Sequence, residues 1–337
     1  MSLIEVAGLV KEFRRPKRID GPLGALRTLF TRQYVSKRAV DGIDFSVGEG
    51  ELVGYLGPNG AGKSTTVKML AGILRPTAGH VEVAGVVPWK ERERNARNIG
   101  VVFGQRSQLW WDLPLRDSLE TMGRLYGVER ARYRRSIAHF TEVLMLGAFL
   151  DTPVRQLSLG QRMRGDLAAA MLSEPRVLFL DEPTVGLDVV ARERMREFIA
   201  VQNRAQGTTV VLTTHDLDDV ERLCSRIVLI DSGRVLYDGD VEKLKSRYAP
   251  HRQLVVQLAD GSPWQGVDLP GVECVRGGAG PGSAGPGSVS LRFAPEDART
   301  PEIVAAVLAR HTVTDLSIIE PDLEGVIHRI YSESGAA

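Results

Sequence analysis

Cysteine is nearly absent from this sequence, and so are long apolar runs and any surplus of one charge. The only two thiols, Cys224 and Cys274, stand far apart and lack metal-ligand spacing. That excludes a disulfide framework and leaves two free thiols in a reducing cytosol as the expectation. No window reaches ~18 uninterrupted apolar residues, so no segment is expected to cross a bilayer. The opening residues MSLIEVAGLVKEF lack the basic start and apolar run of a secretory signal. Any service to a membrane is therefore expected from the cytoplasmic face. A formal net charge of +1 argues neither for nor against a nucleic-acid partner.

What is present is ordinary globular composition, 43% hydrophobic and 25% charged, enough to bury a normal core. A length of 337 residues suits one large domain with an appendage. Leu3 to Val10 alternates as a strand should. Arg14 to Arg38 then forms a basic insert, holding eight Lys or Arg against the single acid Asp20. Gly42 to Val47 and Glu51 to Leu56 read as strands. Val67, Leu70, Ala71 and Leu74 share one face of a helix expected from Gly62 to Leu74, stopped by Arg75-Pro76. Between Arg106 and Leu172 the periodicity is helical throughout, as in a helical subdomain.

Val177 to Leu180 is a short apolar run suited to a buried parallel strand. Beyond it come a helix from Val190 to Arg204, a strand Thr209 to Leu212, a helix Leu217 to Cys224 and a strand Arg226 to Ile230. Asp231-Ser232-Gly233 turns the chain into a hairpin strand, Arg234 to Tyr237. This alternation predicts an α/β core, set at residues 1–248. The remainder, 249–337, reads as a small α+β domain with strands Leu254 to Leu258 and Val289 to Phe293 and a helix Pro301 to Arg310. Its Gly-rich stretch, 277–288, is a flexible loop.

Gly57-Pro58-Asn59-Gly60-Ala61-Gly62-Lys63-Ser64 fits the phosphate-binding loop pattern between a predicted strand and a predicted helix. Its glycines allow the backbone to turn tightly and aim N–H groups at phosphate oxygens, aided by the start of the helix. Lys63 is placed to reach the β- and γ-phosphates, the Ser64 hydroxyl to ligate Mg²⁺, and Thr65 follows in the same turn. The apolar run ending in Asp181-Glu182 supplies two carboxylates at a strand end. Asp181 is expected to hold Mg²⁺ and Glu182 to orient the attacking water. Read alone, the two acids would equally suit a solvated turn; the phosphate loop favours the catalytic reading.

Together these residues resemble the ABC ATPase family over about residues 3 to 245. Leu157-Ser158-Leu159-Gly160-Gln161 is similar to the family signature LSGGQ, with Leu159 where the family has glycine. Gln105 resembles the Q-loop glutamine, Gly186-Leu187-Asp188 the D-loop and His215 the switch histidine. The resemblance implies a P-loop NTPase fold of the ABC type that binds and hydrolyses ATP with Mg²⁺. It also implies a head-to-tail dimer or paired ATPase subunit, each ATP lying between one chain's glycine loop and the other's Ser158, Gly160 and Gln161. Asp188 would join that nucleotide site, Gln105 would complete the Mg²⁺ ligands with Ser64 and Asp181, and His215 and Lys63 would assist Glu182 in catalysis. An aromatic side chain normally stacks on adenine; Phe13 matches best, with Tyr34 as the substitute.

Phe103 to Pro114, containing Trp110 and Trp111, looks like drug- and viologen-exporter ATPases whose permeases are separate chains. Asp315 to Glu324 is similar to the end of daunorubicin-exporter-type ATPases. The expected partners are integral-membrane permease subunits, with no nucleic acid. Trp110 and Trp111 cannot both enter one core from a regular element. Either one lies exposed near the Q-loop for a permease, or both pack within the helical subdomain. Leu26, Phe30 and Tyr34 recur at helical steps in the basic insert, which would lie either on the chain's own surface or on a permease or anionic lipid.

The rival assignment is a non-transport ABC protein acting on ribosomes or DNA, and it fits less well: there is one cassette and no sustained heptad repeat. A P-loop kinase or GTPase would leave the signature and His215 unexplained. Cargo is not legible, because a permease would choose it.

Overall fold

The computed structural model describes residues 2–16, 34–104, 106–248, 251–259, 264–267, 269–275, 288–294, 297–319 and 323–333. Two compact units, Met1–Val241 and Glu242–Ala337, make up the chain. No helix among the described residues is long and apolar enough to cross a membrane.

In the first unit, β1 (Ser2–Pro16), β2 (Tyr34–Gly48), β3 (Leu52–Leu56), α1 (Lys63–Leu70), β4 (Ala78–Val83), α2 (Arg92–Asn98) and β5 (Ile99–Phe103) follow in order. A wholly helical stretch comes next: α3 (Leu115–Leu125), α4 (Arg130–Val143) and α5 (Leu159–Met171), with two short 3₁₀ turns before α5. The unit closes with β6 (Val177–Asp181), α6 (Val189–Gln206), β7 (Thr209–Thr213), α7 (Leu217–Leu223), β8 (Arg226–Asp231) and β9 (Arg234–Asp240).

A six-stranded sheet runs in the order β5-β6-β7-β3-β8-β9, parallel except for the edge strand β9. β3 and β7 are buried at every position, as parallel strands covered on both faces must be. Because these strands are parallel, the loops after β3, β5, β6 and β7 all leave one edge of the sheet. That edge is where open α/β sheets bind ligands. A three-stranded antiparallel sheet, β2-β1-β4, shares a core with it through Ile4, Leu9, Ile43, Val81, Phe179 and Val228.

Several expectations are revised. β1 and β2 run into the basic segment, pairing Phe13 with Lys37, Arg14 with Ser36 and Pro16 with Tyr34. An antiparallel ladder bonds through its backbone and tolerates charged side chains on its open faces. Tyr34 is therefore a strand residue, not the end of a helix; Leu26 and Phe30 lie outside the described residues. Helix α1 ends at Leu70, short of Leu74. Gly72 turns left-handed at φ 75°, and the N–H groups of Ile73 and Leu74 return to the Lys68 carbonyl. β4 and α2 were not legible as elements.

The second unit begins with α8 (Val241–Tyr248), which opens at the division between the units. β10 (Arg252–Leu258), β11 (Val272–Val275), β12 (Ser288–Phe293), α9 (Thr300–Arg310), β13 (Val313–Ile319) and α10 (Leu323–Glu333) complete the chain. The sheet is antiparallel in the order β11-β12-β10-β13. Leu254, Val256, Leu291, Phe293, Ile303 and Val307 form its core, and Trp264 stacks on His311 at 4.3 Å. This is the α+β arrangement expected, with α8, β11, β13 and α10 added. Of the Gly-rich loop expected at 277–288, Ser288 is the first residue of β12 and the rest lies outside the described residues. Cys224 is buried and Cys274 exposed, both free.

Candidate nucleotide site

The loop from Gly57 to Gly62 joins the end of β3 to the start of α1. Gly60 and Gly62 adopt φ 86° and 112°, which a side-chain-bearing residue resists. A Cβ on Gly62 would run into the Ala39 carbonyl, and one on Gly57 into the Ile230 carbonyl. The Ala61 N–H donates to the Pro58 carbonyl at 3.1 Å, while the Ala61 carbonyl accepts from Gly233 at 3.0 Å. No side chain caps α1 and no acid occupies its first turn. The helix start therefore keeps N–H groups and positive partial charge for an anion.

Lys63 donates to the carbonyl oxygens of Gly57, at 2.5 Å, and Pro58, at 3.2 Å, so its ammonium lies back over the loop it serves. Burial holds its pKa below the ordinary lysine value, opposed by the charges of Glu182 and Asp181. Those two acids are thus near enough to feel it. Ser64 Oγ donates to Asp181 Oδ2 at 3.1 Å, and Thr213 Oγ1 donates to Asp181 Oδ1. Asp181 owes this place to sheet register: it pairs with Phe103 on one side and Thr213 on the other.

Glu182 lies one residue beyond the strand, in the left-handed region at φ 57°. That conformation costs about 1–2 kcal/mol for a residue with a side chain. Its N–H donates to the Thr213 carbonyl at 2.8 Å, which holds the turn, and its Oε2 lies 2.6 Å from Nδ1 of the exposed His215. The strained turn and the β7 exit together aim a carboxylate and an imidazole at the same space.

Ser64 and Asp181 present a hydroxyl and a carboxylate side by side, hard oxygen donors of the kind Mg²⁺ takes. The donor set fits an ion that keeps most of its remaining ligands as water and phosphate oxygen. Among the described residues there is no group of three or more His, Cys, Asp or Glu able to hold a metal unaided. Gln105, expected as a further ligand, lies outside the described residues.

Ser158 caps α5. Its Oγ accepts from the Gln161 N–H at 3.2 Å, and the Gln161 side chain accepts from the Ser158 N–H at 2.9 Å, a reciprocal capping box. Gly160 is buried, and a Cβ there would stand 2.7 Å from Leu187. Asp188 caps α6 by accepting from the Ala191 N–H at 2.8 Å. Asn59 and Thr65 stay with the phosphate loop and the first turn of α1. Phe13 is exposed, with Lys11 over its ring at 5.2 Å. Its partner Lys37 immediately precedes the stretch of β2 whose Ala39 carbonyl abuts Gly62. Tyr34 lies farther out along the same ribbon.

Trp110 and Trp111 are both exposed, at 39% and 52%, and Leu113 is exposed beside them. Sequence reasoning offered one exposed ring or none.

Three further groups escaped it. Thr213 lies one residue past the expected end of its strand at Leu212 and had no role assigned. Asp219, fully buried, accepts from Thr184 at 2.5 Å and from Arg196 at 2.6 Å, tying the segment after Glu182 to the helix after His215. Asp166, on α5, is buried as well. Its signal was present, since a carboxylate interrupts a face otherwise formed by Met163, Leu167 and Ala170.

A family model described as ABC transporter matches residues 40–185. A daunorubicin resistance ATP-binding protein of Streptomyces coeruleorubidus is 42% identical over 244 residues, 71% of this chain and 75% of that protein. A Nod factor export ATP-binding protein of Paraburkholderia xenovorans is 41% identical over 213 residues, 62% of this chain and 68% of the other. Among solved structures, an ATP-binding subunit of an ABC transporter superposes with a TM-score of 0.62 at 27% identity, covering 73% of this chain and 93% of its own. A dimeric ATP-binding cassette in a post-hydrolysis state, bound to ADP and Pi, shares the fold with a TM-score of 0.60 at 22% identity, over 70% and 98% of the two chains.

Proposed function

The chain belongs to the ABC transporter ATP-binding family, and from that premise we propose how its residues bind and cleave ATP and to what they pass the energy. It is the ATP-binding, ATP-hydrolysing subunit of an exporter-type transporter. The loop Gly57–Ser64 wraps the triphosphate with its N–H groups, and Lys63 leaves its two carbonyl partners to meet the β- and γ-phosphates. Ser64 and Asp181 hold Mg²⁺, which when bound neutralises developing charge between the phosphates. Gln105 would add a further ligand, as the family resemblance implies. Phe13 stacks on the adenine.

Glu182 polarises a water in line with the γ-phosphate. As the water oxygen bonds to phosphorus and the bond to the β-phosphate oxygen breaks, Glu182 takes up the proton. His215, held against that carboxylate, keeps it in position and meets the departing phosphate. The observation that carries this reading is the 2.6 Å Glu182–His215 contact beside Asp181 and Ser64, one acid for the water and one for the metal.

Each nucleotide completes its site with Ser158, Gly160, Gln161 and Asp188 from a second ATPase subunit set head to tail. Hydrolysis removes the bridging γ-phosphate and lets the pair open. Separate integral-membrane permease chains receive that motion on the cytoplasmic face of the membrane. The exposed Trp110, Trp111 and Leu113 supply the apolar contact, as aromatics do at interfaces.

Mixing two inactive variants tests the shared site. A Lys63→Ala chain and a Ser158→Arg chain, each unable to occlude ATP alone, should together form dimers with one intact site. About one occluded nucleotide per mixed dimer is expected. Mixed dimers that occlude none would refute a site shared between chains.

A further inference from the structure

Asp166 has no part in the chemistry above, yet it is a carboxylate at 2% exposure in the helix that begins at the signature serine. A buried carboxylate costs several kcal/mol unless its oxygens find partners. One oxygen, Oδ1, accepts from the Ser107 hydroxyl and from the Gln108 N–H, each at 3.0 Å. The Gln108 side chain in turn donates to the Asp166 carbonyl at 3.0 Å. Oδ2 is buried with no hydrogen-bond partner among the described residues. A group kept at that cost, with half its capacity unused, is held there for its position.

What it holds is the stretch leading to the exposed tryptophans. The Ser107 oxygen also accepts from the Leu109 N–H at 3.1 Å, making the turn. Leu109 is buried against α5 at Gly165, where a Cβ would stand 3.1 Å from it and 2.8 Å from Leu115. Further along, the Trp111 carbonyl accepts from the Arg155 N–H at 2.9 Å, and the Leu113 carbonyl from the Val154 N–H at 3.0 Å. Arg155 pairs with Asp112 at 2.9 Å, and the Arg162 guanidinium lies 5.5 Å from the centre of the Trp111 ring. Residues 107–113 are thus fastened at both ends to α5 and to the turn that enters it, and Asp166 is the buried end of the fastening.

We propose that Asp166 is a positioning residue that latches residues 107–113 to α5, so that a displacement of the Trp110–Trp111 surface carries Ser158 with it. This rests on the reading of Ser158 as the group that closes a second subunit's ATP site. Without the latch, the tryptophan segment and α5 lose their buried polar join and keep only the apolar contact of Leu109 at Gly165. The signature serine is then no longer held where a partner's γ-phosphate needs it, while the glycine loop of the same chain is untouched.

The full chain with Asp166→Leu, Asp166→Asn and the paired Ser107→Ala/Gln108→Ala tests the latch. Affinity of the monomer for a fluorescent ATP analogue should stay within twofold of the parent in all three. Turnover, and ATP-driven dimerisation in a Glu182→Gln background, should fall tenfold or more in Asp166→Leu and in the paired variant. Asp166→Asn keeps an oxygen acceptor for Ser107 and Gln108, so it should remain within about threefold of the parent. A merely structural residue would lower thermal stability without separating turnover from nucleotide affinity. Turnover of folded Asp166→Leu within threefold of the parent overturns the proposal, and so does an Asp166→Asn variant as impaired as the leucine. Should Asp166→Leu not fold, the paired variant decides by the same criterion. Ser158→Arg is run alongside: if it turns over ATP normally, the reading of Ser158 fails, whatever the Asp166 variants do.

Discussion

Leu159 lies directly across Gly186: a Cβ on that glycine would stand 2.8 Å from Leu159 Cδ2. The contact is reciprocated, because Leu187 covers Gly160 in the same manner at 2.7 Å. The turn that enters α5 and the segment Gly186–Leu187 of the same chain are interlocked, leucine over glycine in both directions. The leucine at the position where the family carries glycine therefore has a seat inside its own subunit.

This interlock makes Gly186→Ala and Leu159→Ala strongly non-additive. Gly186→Ala alone should cost the left-handed backbone penalty of about 1–2 kcal/mol, together with the overlap on Leu159. In a Leu159→Ala background only the backbone part remains. Chemical denaturation of the four proteins should give a coupling of about 1 kcal/mol or more. Simple additivity would mean the two side chains do not meet.

Glu182→Gln removes the charge facing His215 while leaving Lys63, Ser64 and Asp181 in place. Turnover is expected to fall about 10²–10⁴-fold, the usual contribution of a general base, with ATP affinity retained. An ATP-dependent dimer should then appear by size-exclusion chromatography with light scattering. Native turnover in this variant would remove Glu182 from the reaction.

Asp219 carries the buried end of an ion pair with Arg196, itself nearly buried, and binds Thr184 besides. Without Asp219, Arg196 keeps Asp218 at 2.9 Å and Glu193 at 3.4 Å, so what is lost is the buried, charge-assisted pair of hydrogen bonds. Asp219→Ala should therefore lose about 1.5–3 kcal/mol of stability, and Thr184→Val about 1–3 kcal/mol. Because Thr184 lies just after Glu182, the valine variant should also lower turnover more than ATP affinity, as a steady-state comparison would reveal.

The Asp166 carboxyl is pushed up to about 6, chiefly by burial, against the lowering effect of the Gln108 and Ser107 hydrogen bonds and the Arg162 charge. The folded chain then keeps a proton that the unfolded chain loses near pH 3.8. Native protein binds more protons across that window, so this group's contribution to stability falls as pH rises from about 4 to about 6, and is constant above. A shift of this size corresponds to about 3 kcal/mol. Asp166→Asn should abolish the slope and be the more stable protein near pH 7. Denaturation profiles of parent and variant that run parallel from pH 4.5 to 7.5 would contradict this.

The expected site was open to reading because its residues sit in short contiguous runs. Gly57 to Ser64 lies between an apolar strand and a helix, and Val177 to Glu182 is a buried strand with acids at its end. The capping box at Ser158 and Gln161 was also open to reading, as a serine followed three residues later by glutamine at a helix start. The basic segment misled for a definite reason. The four-residue recurrence of Leu26, Phe30 and Tyr34 suggests a helix, whereas Arg14, Tyr34 and Lys37 sit on a ladder joined by backbone hydrogen bonds.

Sequence alone determined the alternation of strand and helix and carried the expectation of the phosphate loop, the two acids and the signature, since each depends on residues within a few positions of one another. Tertiary structure alone decided that β7 lies between β6 and β3, so that Asp181 meets both Thr213 and Ser64. It decided the left-handed turn at Glu182, the leucine–glycine interlock and the burial of Asp166 as well. These relations join residues far apart along the chain. They arise from sheet register and from close packing between elements, which no local pattern encodes.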